Sequence, residues 1–292
     1  MAFQRNLSRL ALLGVGYIGG SAALAARRAG LVDRVVGFDP DPSATHAGLR
    51  RGVLDEVAQT AEDAARGAPL VLLAAPVQSV TRLVSAIANA VAADATVIDV
   101  GSVKTGILLA AEQSMAGGQF VGCHPMAGAE FVGVEAASPD IYPGRVCFIC
   151  PGRKATPSAI DAAHAFWQGI GCETVLIDAE THDRLMAAQS HLPHVAAFAL
   201  AAALAPSLSF LDSSTSAGSP TTSLRDTTRI AASGPAVWRD ILQANAKYVL
   251  PLIEELEKCT NQIKKAVAAG DGEALERVLA LGRSCRKRLV KE

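Results

Sequence analysis

The sequence predicts a doubly wound α/β domain with a mostly parallel sheet, followed by an all-helical domain. Three observations predict it. Short apolar runs alternate with amphipathic stretches from Arg9 to about residue 178. A glycine-rich turn separates the first apolar run from the first amphipathic stretch. Beyond residue 179 the strand-like runs stop and only helical patterns follow. Strands that alternate with helices imply right-handed crossovers and a parallel sheet.

The elements follow in order. "RLALLG" is a strand and "IGGSAALAARRAG" a helix ending near Gly30. "RVVGFD" is the second strand, "ATHAGLRRG" a short helix, and "APLVLLAAP" a third strand. Its run does not alternate, so it is buried on both faces. "VQSVTRLVSAIANAVAAD" reads as a helix, "ATVIDVG" as a strand, "TGILLAAEQSM" as a helix and "QFVGCHP" as a strand. "RVCFICPG" and "ETVLIDA" add two strands around the helix "PSAIDAAHAFWQGIG". The expected domains are 1–178 and 179–292. In the second, "ETHDRLMAAQSHLPHVAAFALAAAL" is a long helical stretch whose apolar end reads as a buried core helix. "SLSFLDSSTSAGSPTTS" is a polar loop too long to be mere connection. Amphipathic helices run from about Pro235 to the end, with no repeat period.

Composition bounds the function. The chain has 292 residues, half of them apolar and 19% charged, which suits two packed domains. Lys and Arg total 27 against 28 Asp and Glu. That balance gives no general pull toward nucleic acid or a membrane surface, so an anionic ligand needs a local cluster. Six cysteines without framework spacing point to a reducing, cytoplasmic setting. Cys147 and Cys150 form C-x-x-C, but three residues apart on a strand they face opposite sides. The first apolar run is interrupted by "GVGYIGG", which argues against a signal peptide. No metal site is expected.

Gly14, Gly16 and Gly19 have GxGxxG spacing, after a strand and at the start of a helix. That context makes the motif a dinucleotide fingerprint and the domain Rossmann-type. Gly14 permits the tight turn, Gly16 lets a pyrophosphate approach, and Gly19 lets helix and strand pack closely. With Tyr17 and Ile18 they place helix-terminal amides at the phosphates. Asp39 ends the second strand, 20 residues after Gly19. A carboxylate there accepts from the ribose hydroxyls and repels a 2′-phosphate, so NAD is expected over NADP.

The pocket of such a domain lies over the strand C-termini. "DVGSVK", "GCHPMAGAE", "QSHLPH" and "LRDTTRIAAS" are the segments expected to line it. These motifs resemble, in order and approximate spacing, those of the prephenate/arogenate (cyclohexadienyl) dehydrogenases of tyrosine biosynthesis. The resemblance spans nearly the whole chain, and it carries the substrate assignment. It implies an NAD-dependent oxidative decarboxylation in which the substrate loses hydride from its carbinol carbon, a hydroxyl proton and carbon dioxide. It implies that His124 is the catalytic histidine and that Ser102 sits near the substrate hydroxyl and nicotinamide. Arg229 would bind a substrate carboxylate, His194 and nearby Ser190 would contact substrate, Glu130 would stand at the pocket mouth, and Trp238 would line the pocket. It also implies a homodimer built through the helical domain.

Other readings stand beside these. Ser102 is also placed to cap the following helix, and Lys104 reads as solvated or structural. His46, His164 and His182 read as bland helical or surface residues. His191 and His194 have no carboxylate or thiolate beside them to complete a metal site. The chain departs from the family pattern at Ala129, often serine or threonine, and at Val132-Gly133, often Ser-Gly. No appended regulatory domain or fused chorismate mutase is expected. Two alternatives remain: a β-hydroxyacid dehydrogenase, whose usual lysine is missing from "HDRLMAAQSHLPH", and a non-catalytic NAD-binding regulator.

Overall fold

The computed structural model describes residues 7–115, 117–127, 131–207 and 221–290. Among them an eight-stranded sheet runs in the order β3-β2-β1-β4-β5-β6-β7-β8. Its strands are β1 Leu10–Leu13, β2 Val35–Phe38, β3 Glu56–Val57, β4 Leu70–Leu73, β5 Thr96–Asp99, β6 Phe120–Pro125, β7 Val146–Pro151 and β8 Glu173–Leu176. All pairs are parallel except β6 with β7. The chain turns back at this point because a loop, rather than a crossover helix, joins the two strands. The two-residue β3 is too short to leave a periodic signal.

Alternation along each strand sorts side chains onto two faces. Leu10 and Leu12 join one core, with helices α1 (Tyr17–Arg28), α2 (Pro42–Arg50) and α6 (Pro157–Gly169) over it. Ala11 and Leu13 join the other, covered by α3 (Ala61–Ala65), α4 (Val77–Ile87) and α5 (Thr105–Ser114). The alanines of α1, with Ala22, Ala23 and Ala26 fully buried, let that helix sit close to the sheet. α4 is shorter than the sequence pattern implied. The amides of Ala90 and Val91 both turn back to the Ile87 carbonyl, which ends the helix.

The last strand ends at Leu176 and α7 (Ala179–Met186) begins the helical part. Asp178 caps it, accepting from the Thr181 amide at 2.9 Å. A π-turn, Ala187–His191, links α7 to α8 (Leu192–Ala203). Pro193 has no N–H to offer the carbonyl four residues back, and the Leu192 amide reaches Ala187 instead. Then come α9 (Thr222–Thr228), a short 3-10 turn Arg229–Ala232, α10 (Pro235–Ala244), α11 (Ala246–Ala269) and α12 (Gly272–Leu289). α10 and α11, which share one uninterrupted amphipathic run of sequence, break at Asn245. The buried Asn245 side chain bridges the Asp183 carbonyl and His191 across this break. α10 docks on the second sheet core through Ile241 and Trp238.

α8 is not the buried core helix its apolar sequence implied. Only Ala197 is buried, because the neighbouring helices of this chain cover one narrow stripe. α12 buries none of its residues, and Leu279 and Leu281 stand exposed on it.

Candidate active site

The site is built along the C-terminal edge of the sheet, beginning at the glycine turn. Gly14 has φ +98°, and a Cβ there would lie 2.5 Å from the Ala74 carbonyl oxygen. A Cβ on Gly19 would lie 2.5 Å from Ala74 Cβ, so only glycine lets α1 start this close to β4. At Gly16, by contrast, a Cβ would meet nothing within 4 Å, leaving open space over the backbone. The α1 N-terminus has no side-chain cap and no acidic residue in its first turn. Its amides are thus left for an anion. Asp39 ties the turn to β2, accepting from the Val15 amide at 2.8 Å and the Asp41 amide at 2.9 Å. Tyr17 packs its ring against Phe131 at 5.8 Å, and the Ile18 carbonyl accepts from the Tyr142 hydroxyl at 2.7 Å. These features fit a bound dinucleotide pyrophosphate and ribose.

Two strands further along, β5 delivers Ser102 and β6 delivers His124, both half-buried. A buried ion pair fixes their spacing. Lys104 and Asp99 are both inaccessible to solvent and in direct contact. The Lys104 ammonium also donates to the Cys123 carbonyl at 2.8 Å, and Asp99 accepts from the Gly101 and Cys123 amides at 2.8 and 2.9 Å. Gly122 makes room for the lysine chain: a Cβ there would lie 3.2 Å from Lys104 Cδ. Lys104 is therefore structural and wholly unsolvated. Nor does the Ser102 side chain cap α5, whose N-cap residue is Lys104. Asp183 holds that end instead, accepting from the Lys104 amide at 2.7 Å and the Thr105 amide at 2.9 Å.

The helical domain closes over this edge. His182, on α7, is fully buried. Its Nε2 lies 2.9 Å from His124 Nδ1, and its Nδ1 lies 2.9 Å from Asp183 Oδ1. The bland reading of His182 is thus corrected. The missed signal was its position one helical turn before the buried Met186, which puts the polar His182-Asp183 pair on the buried stripe. Burial pushes the Asp183 carboxyl up, but hydrogen bonds from His182, Thr105 and Lys104 outweigh it and leave it below the usual range. Burial first, then the neighbouring His182 and Lys104, holds His124 well below the ordinary histidine value. His182 is also lowered, by burial, against the pull of Asp183.

A second cluster adjoins the first through His191, which is near enough to His124 to add to its shift and whose ring lies 6.0 Å from that of Trp238. His191 is buried, accepts from Asn245 at 2.9 Å, and is pushed down to about 4 chiefly by burial. Its Nε2 is buried with no protein partner among the described residues. His194 stacks on Trp238 with ring centroids 3.6 Å apart and donates from Nδ1 to the Ser190 carbonyl at 2.8 Å. Burial lowers His194, and the Arg229 guanidinium is near enough to add to that shift. Structure therefore groups His194, Ser190, Trp238 and Arg229 from the helical domain. His46 is not among the groups gathered here, and His164 pairs with Thr174 at 2.8 Å in the first domain. Glu130 lies outside the described residues, as do Ala129 and most of the Ser/Thr/Gly-rich loop. Cys147 and Cys150 are buried free thiols, and burial pushes Cys150 up to about 12.

A dinucleotide turn, a recessed imidazole and an arginine-bearing helical cluster together define an oxidoreductase of the two-domain dehydrogenase class. Residues 22–176 match the family model for the prephenate dehydrogenase nucleotide-binding domain, and residues 178–281 match that for the prephenate dehydrogenase dimerization domain. The chain belongs to the prephenate dehydrogenase family. It is 31% identical to the cyclohexadienyl dehydrogenase of Zymomonas mobilis, covering 91% of this chain and 90% of that one. It is 32% identical to the prephenate dehydrogenase of Bacillus subtilis, over 94% of this chain and 74% of the relative. The crystal structure of Aquifex aeolicus prephenate dehydrogenase, in complex with hydroxyphenyl propionate and NAD+, superposes with a TM-score of 0.85. It is 30% identical and covers 97% of this chain and 98% of that one.

Proposed function

We propose that the chain catalyses the oxidative decarboxylation of prephenate, arogenate or both, with NAD preferred over NADP, in tyrosine biosynthesis. Residues 1–178 form the nucleotide-binding domain and residues 179–292 the substrate-binding and dimerisation domain. The observation that carries this reading is the recessed His124 at the sheet edge, held to His182 of the helical domain and near His191, whose ring meets Trp238 of the histidine–tryptophan–arginine cluster.

Gly14, Gly16, Gly19 and the amides of Tyr17 and Ile18 hold the pyrophosphate, and Asp39 takes the adenosine ribose hydroxyls. When bound, NAD supplies the hydride acceptor. His124 takes the proton from the substrate's ring hydroxyl. Ser102, on the neighbouring strand end, hydrogen-bonds at the same hydroxyl. Arg229 grips a substrate carboxylate, because a guanidinium can meet a carboxylate with two parallel hydrogen bonds. His194, stacked on Trp238, presents its second ring nitrogen to substrate, and Ser190 sets that ring through its carbonyl. The family resemblance gives Glu130 a part in substrate access. The substrate's aromatisation on loss of carbon dioxide drives the reaction forward.

The exposed apolar surface of α8 and α12 supports a homodimer formed through the helical domain. The six free cysteines, four of them buried, support a reducing cytoplasm as the working compartment. No described helix is long and apolar enough to cross a membrane. The test is a four-way assay of prephenate and arogenate, each with NAD and NADP. Turnover of at least one substrate with a higher kcat/KM for NAD is expected. Equal efficiency with NADP would remove the cofactor preference, and no turnover of either acid would remove the substrate assignment.

A further inference from the structure

We propose that His182, held by Asp183, is a positioning residue that fixes the tautomer of His124, so that His124 Nε2 carries the lone pair that receives the substrate proton. The inference rests on the reading of His124 as proton acceptor and deepens it.

The argument starts at the carboxylate. Asp183 is buried, and its two oxygens already accept from the Lys104 and Thr105 amides. An ionised carboxylate offers only lone pairs. His182 Nδ1, at 2.9 Å from Asp183 Oδ1, must therefore carry a proton. In a neutral ring the other nitrogen, Nε2, is then an acceptor. It lies 2.9 Å from His124 Nδ1. Two lone pairs do not face each other at that distance, so the proton sits on His124 Nδ1. That leaves Nε2 of His124 bare. The alternative is a doubly protonated His182 donating to His124. It would bury a cation near Lys104, and burial holds His182 below the ordinary histidine value.

The orientation is fixed as well as the tautomer. His182 is fully buried and meets the Phe148 ring edge-on at 5.6 Å. Phe148 is the register partner of His124 across β6 and β7. Asp183 in turn is anchored to the start of α5, next to the Asp99–Lys104 pair. The carboxylate–imidazole logic of hydrolytic triads thus extends here by one ring. In the proton transfer the substrate O–H bond breaks and the His124 Nε2–H bond forms. His124 becomes an imidazolium whose Nδ1–H still donates to His182, with the Asp183 charge beyond it.

Two measurements test this on the full chain. The first is histidine-ring 15N NMR of the wild-type protein. We expect His124 Nδ1 protonated and Nε2 unprotonated near neutral pH. The reverse assignment overturns the proposal, whatever the turnover. The second compares His182→Leu with His182→Gln by steady-state kinetics. Leu removes the acceptor, whereas Gln presents an amide oxygen to His124 and an N–H to Asp183. His182→Leu is expected to lower kcat by about 10²-fold, with KM changed little, because tautomer control is worth part of the general-base contribution. His182→Gln should recover most of that loss. A Gln variant as poor as Leu, or a Leu variant with wild-type kcat, overturns the positioning role. The NMR result stands independently of whether His124→Asn abolishes turnover, so the two readings fail separately.

Discussion

Lys104→Met probes the pair that holds the site together. Methionine follows the lysine chain as far as the ε position and keeps the packing over Gly122, while removing the cation. Asp99 would then be a solvent-inaccessible carboxylate with only the Gly101 and Cys123 amides for partners. The Cys123 carbonyl would lose its donor at the same time. Breaking a buried pair on one side costs about 3–5 kcal/mol. The two remaining amide bonds place this case near the lower end, about 3 kcal/mol. For a chain of this size that corresponds to a fall in Tm of about 6–12 °C. Differential scanning calorimetry at one fixed protein concentration reads it. The double variant Asp99→Asn/Lys104→Met should recover part of the loss, because no unpaired charge is left inside. A Tm drop of about 1 °C or less for Lys104→Met, the size of a surface change, refutes the reasoning.

Other predictions concern substrate and pH. Arg229→Ala should raise KM about 10-fold or more with a smaller effect on kcat, as expected for a lost charge-assisted carboxylate contact; steady-state kinetics with an unchanged KM contradicts that contact. His124, His182, His191 and His194 all titrate below the ordinary histidine value in the folded chain, His191 at about 4. The unfolded chain therefore binds more protons in this window, and stability rises with pH there. Their contribution is full above the unfolded value of about 6.5 and is lost as pH falls toward the depressed values. Thermal melts at pH 7.5 and 5.0 should show the lower Tm at 5.0; equal values contradict the burial argument.

Local signals made the first domain legible in the sequence. The run of Leu10–Leu13, the glycines and the alternation of strand and helix each carry a period or a turn rule. What stayed hidden depends on long-range contacts. The break at Asn245 has no glycine or proline to mark it, since the reason is a buried amide reaching Asp183 and His191. The π-turn before Pro193 is visible only as a proline inside a helical pattern. Lys104 looked ambiguous because nothing local says that Asp99, five residues back, meets it in the core. His182 is the sharpest case. Its chemistry comes from a strand 58 residues away, and that distance is closed only by the helical domain packing on the sheet. The exposure of α8 shows the opposite failure: apolar composition reports a tendency to be covered, and does not say by which chain.

The central claim is that His124 accepts the substrate proton in a cleft shared with the dinucleotide. His124→Asn tests it most directly, with kcat and NAD binding measured on the same sample. The account predicts turnover lowered by about 10²–10⁴-fold while the dissociation constant for NAD stays within a few-fold of wild type. Turnover close to wild type, with NAD still bound, would contradict it.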